Sequence, residues 1–280
     1  MRTSLLFLTT LACLSFPLLA QEAAVPKVAS PSEAKPSSAD IIAGFNKENP
    51  GVRIDSKNQW VEFDAKVCLR DVPMLEALVC TPMTKEHESI LVSKVKPSQL
   101  HLALLLLGLE PGAPRAVRWV GPNGDQPQAI PARGEEVALF LVTHAKVMEN
   151  GKEVDKETEV PAGDWLLNQK TKKKSDNNRW LFTGSRMAQT PEGKPYYWAD
   201  GEGDMISIVH FGDETLAPTT NKTKANESEG DDLGCNTALI PPVDTQVIVR
   251  VKKVPKERVK TAPAKVEASV EKSEAKPDPQ

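Results

Sequence analysis

Four of the residues best suited to acid–base, metal or redox chemistry lie close together in this 280-residue chain: Cys68, Cys80, His87 and His101. Glu86-His87-Glu88 sets an imidazole between two carboxylates, which suits a tuned general base or a metal ligand. It is not the H-E-x-x-H pattern, because the residue four after His87 is Leu91 and a second helical ligand is missing. The segment reads as the entrance to a strand, where Glu86 and Glu88 point to the face opposite His87. A histidine hydrogen bond that fixes the turn is the competing structural reading. His101 follows on an apolar helix, where a buried imidazole bonded to the backbone is the default. If His87, His101 and a carboxylate such as Glu88 or Asp200 converged, they would form a metal or acid–base site.

Cys68 and Cys80 are candidates for a disulfide in an oxidising compartment. A turn near Arg70 to Pro73 would place Cys68 opposite the start of the next strand, which argues against the bond, and Cys235 would remain unpaired. Connectivity cannot be read from spacing, so the pairing stays open. Asp200-Gly201-Glu202-Gly203-Asp204 has the alternating acids of a calcium loop but not its 12-residue spacing or terminal glutamate, and reads as a turn. Gly184-Ser185-Arg186 is not the G-x-S-x-G elbow of a serine hydrolase.

These residues are carried by a chain with four expected parts. Residues 1–20 have an early Arg2, an uncharged apolar stretch from Leu5 to Leu19 and a small Ala20, the layout of a secretory signal peptide. Cys13 follows a poor lipobox, so lipoprotein processing is disfavoured. Residues 21–40 are rich in Ala, Pro, Ser, Lys and Glu and read as a disordered linker, as does the charged tail 255–280. One ordered domain, 41–254, remains. No later apolar run approaches the roughly 20 residues of a membrane span. The formal charge of −3 argues against a nucleic-acid partner.

Within the domain, Trp60 to Val67 alternates strictly, with Val61, Phe63, Ala65 and Val67 on the buried side. Leu75–Cys80 and Ile90–Val95 follow over short connections that suggest an antiparallel meander. Pro97 starts a helix and Gly108 stops it. Its run of leucines leaves no polar face, so the helix (about 97–108) is expected to be largely buried at the centre of the core. Asn150-Gly151 marks a hairpin. Further strands are expected at 179–186, 196–200, 205–211 and 245–251, with a short helical turn at 161–167. The fold class is therefore mainly β (β-dominated α+β), with antiparallel sandwich-like sheets and one apolar helix packed on them.

Glu86-His87-Glu88-Ser89-Ile90-Leu91, Lys96-Pro97-Ser98-Gln99-Leu100-His101 and Leu107-Gly108-Leu109-Glu110-Pro111-Gly112 together resemble the signature of the YdjY-domain family of exported bacterial proteins. Trp180 to Arg186 and Tyr197-Trp198-Ala199-Asp200-Gly201 resemble the family's second half. The likeness implies a domain without an established activity. Some relatives are described as ferredoxin-like, which would imply iron–sulfur clusters on four cysteines. Only Cys68, Cys80 and Cys235 remain after the signal, with no close-spaced pair, so no such cluster is expected. The expected function is a non-catalytic exported envelope domain binding a protein or small ligand, with no cofactor. The alternatives are a metal-dependent or hydrolytic enzyme using His87 with Glu88, its metal held by His87 and His101, and a periplasmic redox-associated role.

Overall fold

A computed structural model describes residues 36–175, 178–219 and 233–255. The expected signal, most of the linker and the tail from 256 onward lie outside the described residues. Helix α1 (Ser38–Glu48) spans the expected linker–domain boundary and opens on a capping box in which Ser37 and Asp40 satisfy each other's backbone amides. Then come β1 (Val52–Asp55), β2 (Trp60–Val67), β3 (Ala77–Cys80), β4 (Ser89–Val92), α2 (Pro97–Leu106), β5 (Ala116–Val120), β6 (Gln126–Ile130), β7 (Glu135–Glu149) and β8 (Lys152–Pro161). A 3-10 turn, Ala162–Trp165, leads to β9 (Leu166–Asn168), β10 (Arg179–Phe182), β11 (Met187–Gln189), β12 (Pro195–Tyr197), α3 (Trp198–Glu202), β13 (Asp204–Ser207), β14 (Leu216–Pro218), β15 (Leu233–Cys235) and β16 (Gln246–Lys253).

Strand accounts for 44% and helix for 15%, so the fold is β-dominated as the sequence indicates. It is not a sandwich. The strands run β2-β16-β7-β10-β14-β13-β3-β4 and then return to β2 through Lys66↔Val92 and Val67↔Leu91, closing an eight-stranded barrel. A sandwich leaves each sheet with edges, whereas here the Val67 end of β2 bends onto β4 and both potential edges are paired. The antiparallel meander is also corrected: β3 and β4 pair in parallel, as do β13 and β14. The 81–88 link carries the chain back along β3 in successive turns, so β4 starts level with Ala77 and slots between β2 and β3.

An eight-stranded barrel has an interior just wide enough to be filled by side chains. Phe63, Val61, Leu139, Leu141, Trp180, Phe182, Leu216, Val249 and Val251 are fully buried members of its core. The Trp180 indole N–H donates to the Ser207 carbonyl, so the largest core residue meets its one polar requirement. The alternation expected for β2 is present, with Val61, Phe63, Ala65 and Val67 buried. On its outer face Glu62 pairs with Arg250, whose guanidinium lies over Trp60. The β7–β8 hairpin turns at Asn150-Gly151, both with positive φ, the conformation this dipeptide adopts readily.

Helix α2 starts at Pro97, and the chain leaves it at Gly108 with φ +82, as expected. It packs on β1, β2, α1 and α3, burying Leu100, Ala103 and Leu104. It is not buried all round: Leu102 and Leu105 are 46% and 40% exposed, because the opposite side of the helix borders a cleft. Of the strand expected at 196–200 only Tyr196 and Tyr197 are extended, as the end of β12. At Trp198 the chain turns into α3, which ends at Gly203 in the left-handed region. A side chain there would collide with Thr84, its Cβ only 2.3 Å from Thr84 Oγ1.

Candidate functional site

The residues singled out in sequence do not come together. His87 lies in the turn before β4, not in the strand, and its side chain is 77% exposed with Nε2 3.7 Å from Glu88 Oε2. Glu86 works locally: its carboxylate accepts the amides of Met83 (2.6 Å) and Thr84 (3.0 Å), bonds that lower its pKa with the Met83 amide contributing most. Asp200 accepts the Ser98 amide and hydroxyl at 2.8 and 2.7 Å, satisfying the first turn of α2. His101 instead faces Phe182 and Tyr197 edge-on. Among the described residues no group of three or more His, Cys, Asp or Glu side chains is placed to hold a metal. Cys68, Cys80 and Cys235 are free thiols.

Two polar arrays form in their place, both completed by the chain's second half. The first lines a cleft of about 450 Å³ between α2 and residues 183–187, with Ser98, His101, Leu102, Leu105, Arg186 and Tyr197 among its walls. His101 Nδ1 lies 2.9 Å from the Tyr197 hydroxyl, which lies 3.1 Å from the buried Thr215 hydroxyl. Burial lowers the His101 pKa against an opposing pull from the Gly184 backbone, and burial raises the Tyr197 phenol well above its ordinary range. Both groups are therefore neutral near pH 7, giving a hydrogen-bonding floor without charge. Arg186 supplies charge at the rim, its guanidinium 4.1 Å from the centre of the Trp198 ring.

The backbone opposite His101 is strained. Gly184 (φ +78) and Ser185 (φ +52) are both left-handed, and a Cβ on Gly184 would sit 2.6 Å from Pro111 Cβ and 2.9 Å from His101 Cε1. Glycine is required there so that the chain can approach the imidazole. The strain is held by the amides of Gly184 and Ser185, which donate to the carbonyls of Thr215 and Glu214, and by the Ser185 hydroxyl, which accepts the Ala199 amide. Residues held in such conformations cluster at functional sites. A larger, more polar groove of about 840 Å³ runs past Gly51, Asp64, Lys66 and Glu86. Of its charged side chains Lys66 is engaged with Asp244, Asp64 with Arg53 and Glu86 with the turn, and Lys94 is exposed to solvent, so the smaller cleft is the better candidate.

The second array is a cluster of buried acids behind the first. Asp204, Asp213 and Glu214 are 1%, 7% and 0% exposed. Lys85 Nζ lies 2.6 Å from both Asp204 oxygens and 3.6 Å from the centre of the Phe211 ring. Glu214 accepts three amides of its own loop, from Phe211, Gly212 and Asp213, and meets His210 Nδ1 at 3.2 Å. Burial is the largest cause raising Asp204, to about 8, with the Asp213 charge adding to it and Lys85 opposing, and burial raises Asp213 as well. Burial and the two like charges therefore favour one retained proton on the pair near neutral pH.

Tyr197, Thr215, Lys85 and Asp213 are functional candidates that the sequence does not single out, and Ser185, set aside as a nucleophile, returns as part of the cleft wall. Lys85 directly precedes Glu86-His87-Glu88, and Gly184-Ser185 and Tyr197 fall in the segments that carry the family likeness, but nothing local announces partners about a hundred residues away.

The fold and the cleft define a small closed-barrel domain with a helix-walled recess on one side. The YdjY domain model matches residues 52–252, and the chain belongs to that family. No curated protein and no solved structure matches it.

Proposed function

We propose that this protein is an exported, non-catalytic domain of the bacterial envelope that binds a small ligand in the cleft between α2 and residues 183–187. The observation that carries the reading is the His101–Tyr197–Thr215 hydrogen-bond chain facing the strained Gly184-Ser185 turn beneath exposed Leu102 and Leu105. Apolar walls around a few fixed polar groups are the usual composition of a small-molecule site. The neutral imidazole and phenol suit an uncharged hydrogen-bonding group on the ligand, and Arg186 suits a partial or full negative charge at the entrance. The layout of residues 1–20 supports export to the periplasm or beyond. No helix among the described residues is long and apolar enough to cross a membrane.

The test is an amide chemical-shift screen of the 15N-labelled mature chain against short aromatic and aliphatic amides and carboxylic acids. Binders are expected to move Ser98, His101, Gly184 and Tyr197 together, and Tyr197→Phe is expected to weaken them. Shifts scattered over the surface, or turnover of any compound that is lost in His101→Ala, would overturn the reading. Export is tested separately by fusing residues 1–40 to a reporter that is active only outside the cytoplasm, and a silent fusion would overturn that part.

A further inference from the structure

A second recess lies beside the cleft and shares a wall with it. It holds about 260 Å³ between the start of β5 and the turn after β13, with Arg115, Val117, Arg186, His210, Phe211 and Gly212 among its lining residues. The two walls are packed closely, since a Cβ on Gly212 (φ +98) would stand 3.0 Å from the Arg115 carbonyl oxygen. Elsewhere Arg53, Arg179 and Arg250 meet carboxylates, Arg70 meets the Thr237 carbonyl and Arg118 the Gln128 side chain. Among the described residues the guanidiniums of Arg115 and Arg186 have no such acceptor. Arg186 is nonetheless held in place. Its carbonyl accepts the Trp198 amide at 2.9 Å, its guanidinium lies 4.1 Å from the centre of the Trp198 ring, and that ring stacks on Tyr196 at 6.3 Å. Stacking occupies the face of a guanidinium and leaves its in-plane N–H donors open. The buried acids behind the recess are engaged otherwise: Asp204 meets Lys85, and Glu214 meets His210 and the amides of Phe211, Gly212 and Asp213.

We infer that this recess binds a small oxyanion, a phosphate or a carboxylate, between Arg115 and Arg186. Arginine stays charged at any working pH, and two of them at one recess without an internal counter-ion attract an anion from solution. The planar fork of Arg186, stacked and therefore ordered, matches two oxygens of a carboxylate or phosphate and loses little freedom when it binds them. Val117 and Phe211 supply apolar wall that strengthens the attraction by excluding part of the water. The volume is below the range of a drug-sized site, so the recess takes the anionic group and not a whole large ligand. Arg186 also lines the cleft, and an anion seated on it lies at the cleft's mouth. The recess can bind its anion whether or not the cleft is filled.

The test is a titration of the 15N-labelled mature chain with inorganic phosphate, and separately with acetate, near neutral pH and at an ionic strength held constant with sodium chloride. Saturable shifts of the Val117, Phe211 and Gly212 amides and of the Arg186 Nε–H are expected. Saturation by phosphate alone assigns a tetrahedral anion and saturation by acetate alone a carboxylate, and either supports the inference. Arg115→Gln and Arg186→Gln are each expected to weaken binding by about ten-fold, the loss of one charge-assisted contact. Arg118→Gln removes the same charge from the opposite face of β5 and should change binding by no more than about two-fold. Shifts that fail to saturate with both anions, or an equal loss in Arg118→Gln, would overturn the proposal. The wild-type titration decides it if an arginine variant does not fold. Saturation of the recess while no compound moves the cleft amides would leave this inference standing and count only against the ligand-binding reading.

Discussion

Replacing Asp213 with Asn tests the shared proton directly. In the folded protein burial raises both carboxyls of the Asp204–Asp213 pair, Asp204 to about 8, while in the unfolded chain they return to the ordinary value of 3.8. Between those limits the folded state holds a proton that the unfolded state releases. Stability is therefore highest at low pH and falls as pH rises toward about 8, above which the contribution is flat. One proton corresponds to about 1.4 kcal/mol per pH unit, so roughly 2–3 kcal/mol is lost between about pH 6 and about pH 8. In a domain of this size that is a fall in Tm of roughly 5–10 °C. Asp213→Asn removes one acid and supplies an amide donor to Asp204, which then stays ionised against Lys85 at 2.6 Å. The substitution also offers the Asp213 Oδ1 position, which has no partner among the described residues, no charge to bury. Thermal melts of both proteins in closely spaced buffers give two slopes, and groups common to both cancel in the difference. A nearly flat variant that matches or exceeds wild type near pH 8 is expected. Parallel slopes would refute the shared proton.

Two further substitutions separate the cleft from the core. Gly184→Ala forces a Cβ to within 2.9 Å of His101 Cε1 at a φ of +78, so it should cost about 1–3 kcal/mol in urea and, by displacing the ring, return the His101 titration followed by NMR toward the ordinary histidine range; an unchanged titration would count against the role assigned to that glycine. Leu104→Ala on the buried face of α2 should cost about 2–5 kcal/mol, whereas Leu105→Ala on the cleft face should stay within about 0.5 kcal/mol while weakening ligand binding, and equal losses at the two positions would mean that the helix has no open face.

What could be read from sequence follows the range of the interaction. The β2 alternation, the β7–β8 turn and the limits of α2 depend on residues a few positions apart, and each is where the pattern put it. Closure of the barrel depends on two residue pairs between β2 and β4, and the parallel entry of β4 on a turn held by Glu86. Neither leaves a periodic trace, and a sheet that closes has the same alternation as one that stacks on a partner. The run of leucines in α2 is similarly ambiguous, since a helix apolar all round can be buried on every side or can line a recess with part of its surface.

The candidate sites divide in the same way. Glu86-His87-Glu88 draws the eye because carboxylates flank an imidazole in sequence, yet Glu86 turns to the backbone amides of its own turn, and His87, with Glu88 at 3.7 Å, ends in solvent. A buried site needs partners brought from far along the chain, because only packing from several elements can exclude water and shift a pKa. His101 meets that condition through Tyr197, and Asp204 through Lys85 and Asp213. The acid cluster carries the sharper physical consequence: three carboxyls under 10% exposed share one lysine and one histidine, so the barrel cannot bury them all ionised without cost. Glu214 is stabilised by three amides, which leaves the Asp204–Asp213 pair as the place where the remaining proton must sit. Thr215 touches both arrays, its amide donating to the Asp204 backbone carbonyl and its hydroxyl meeting Tyr197 on the floor of the cleft.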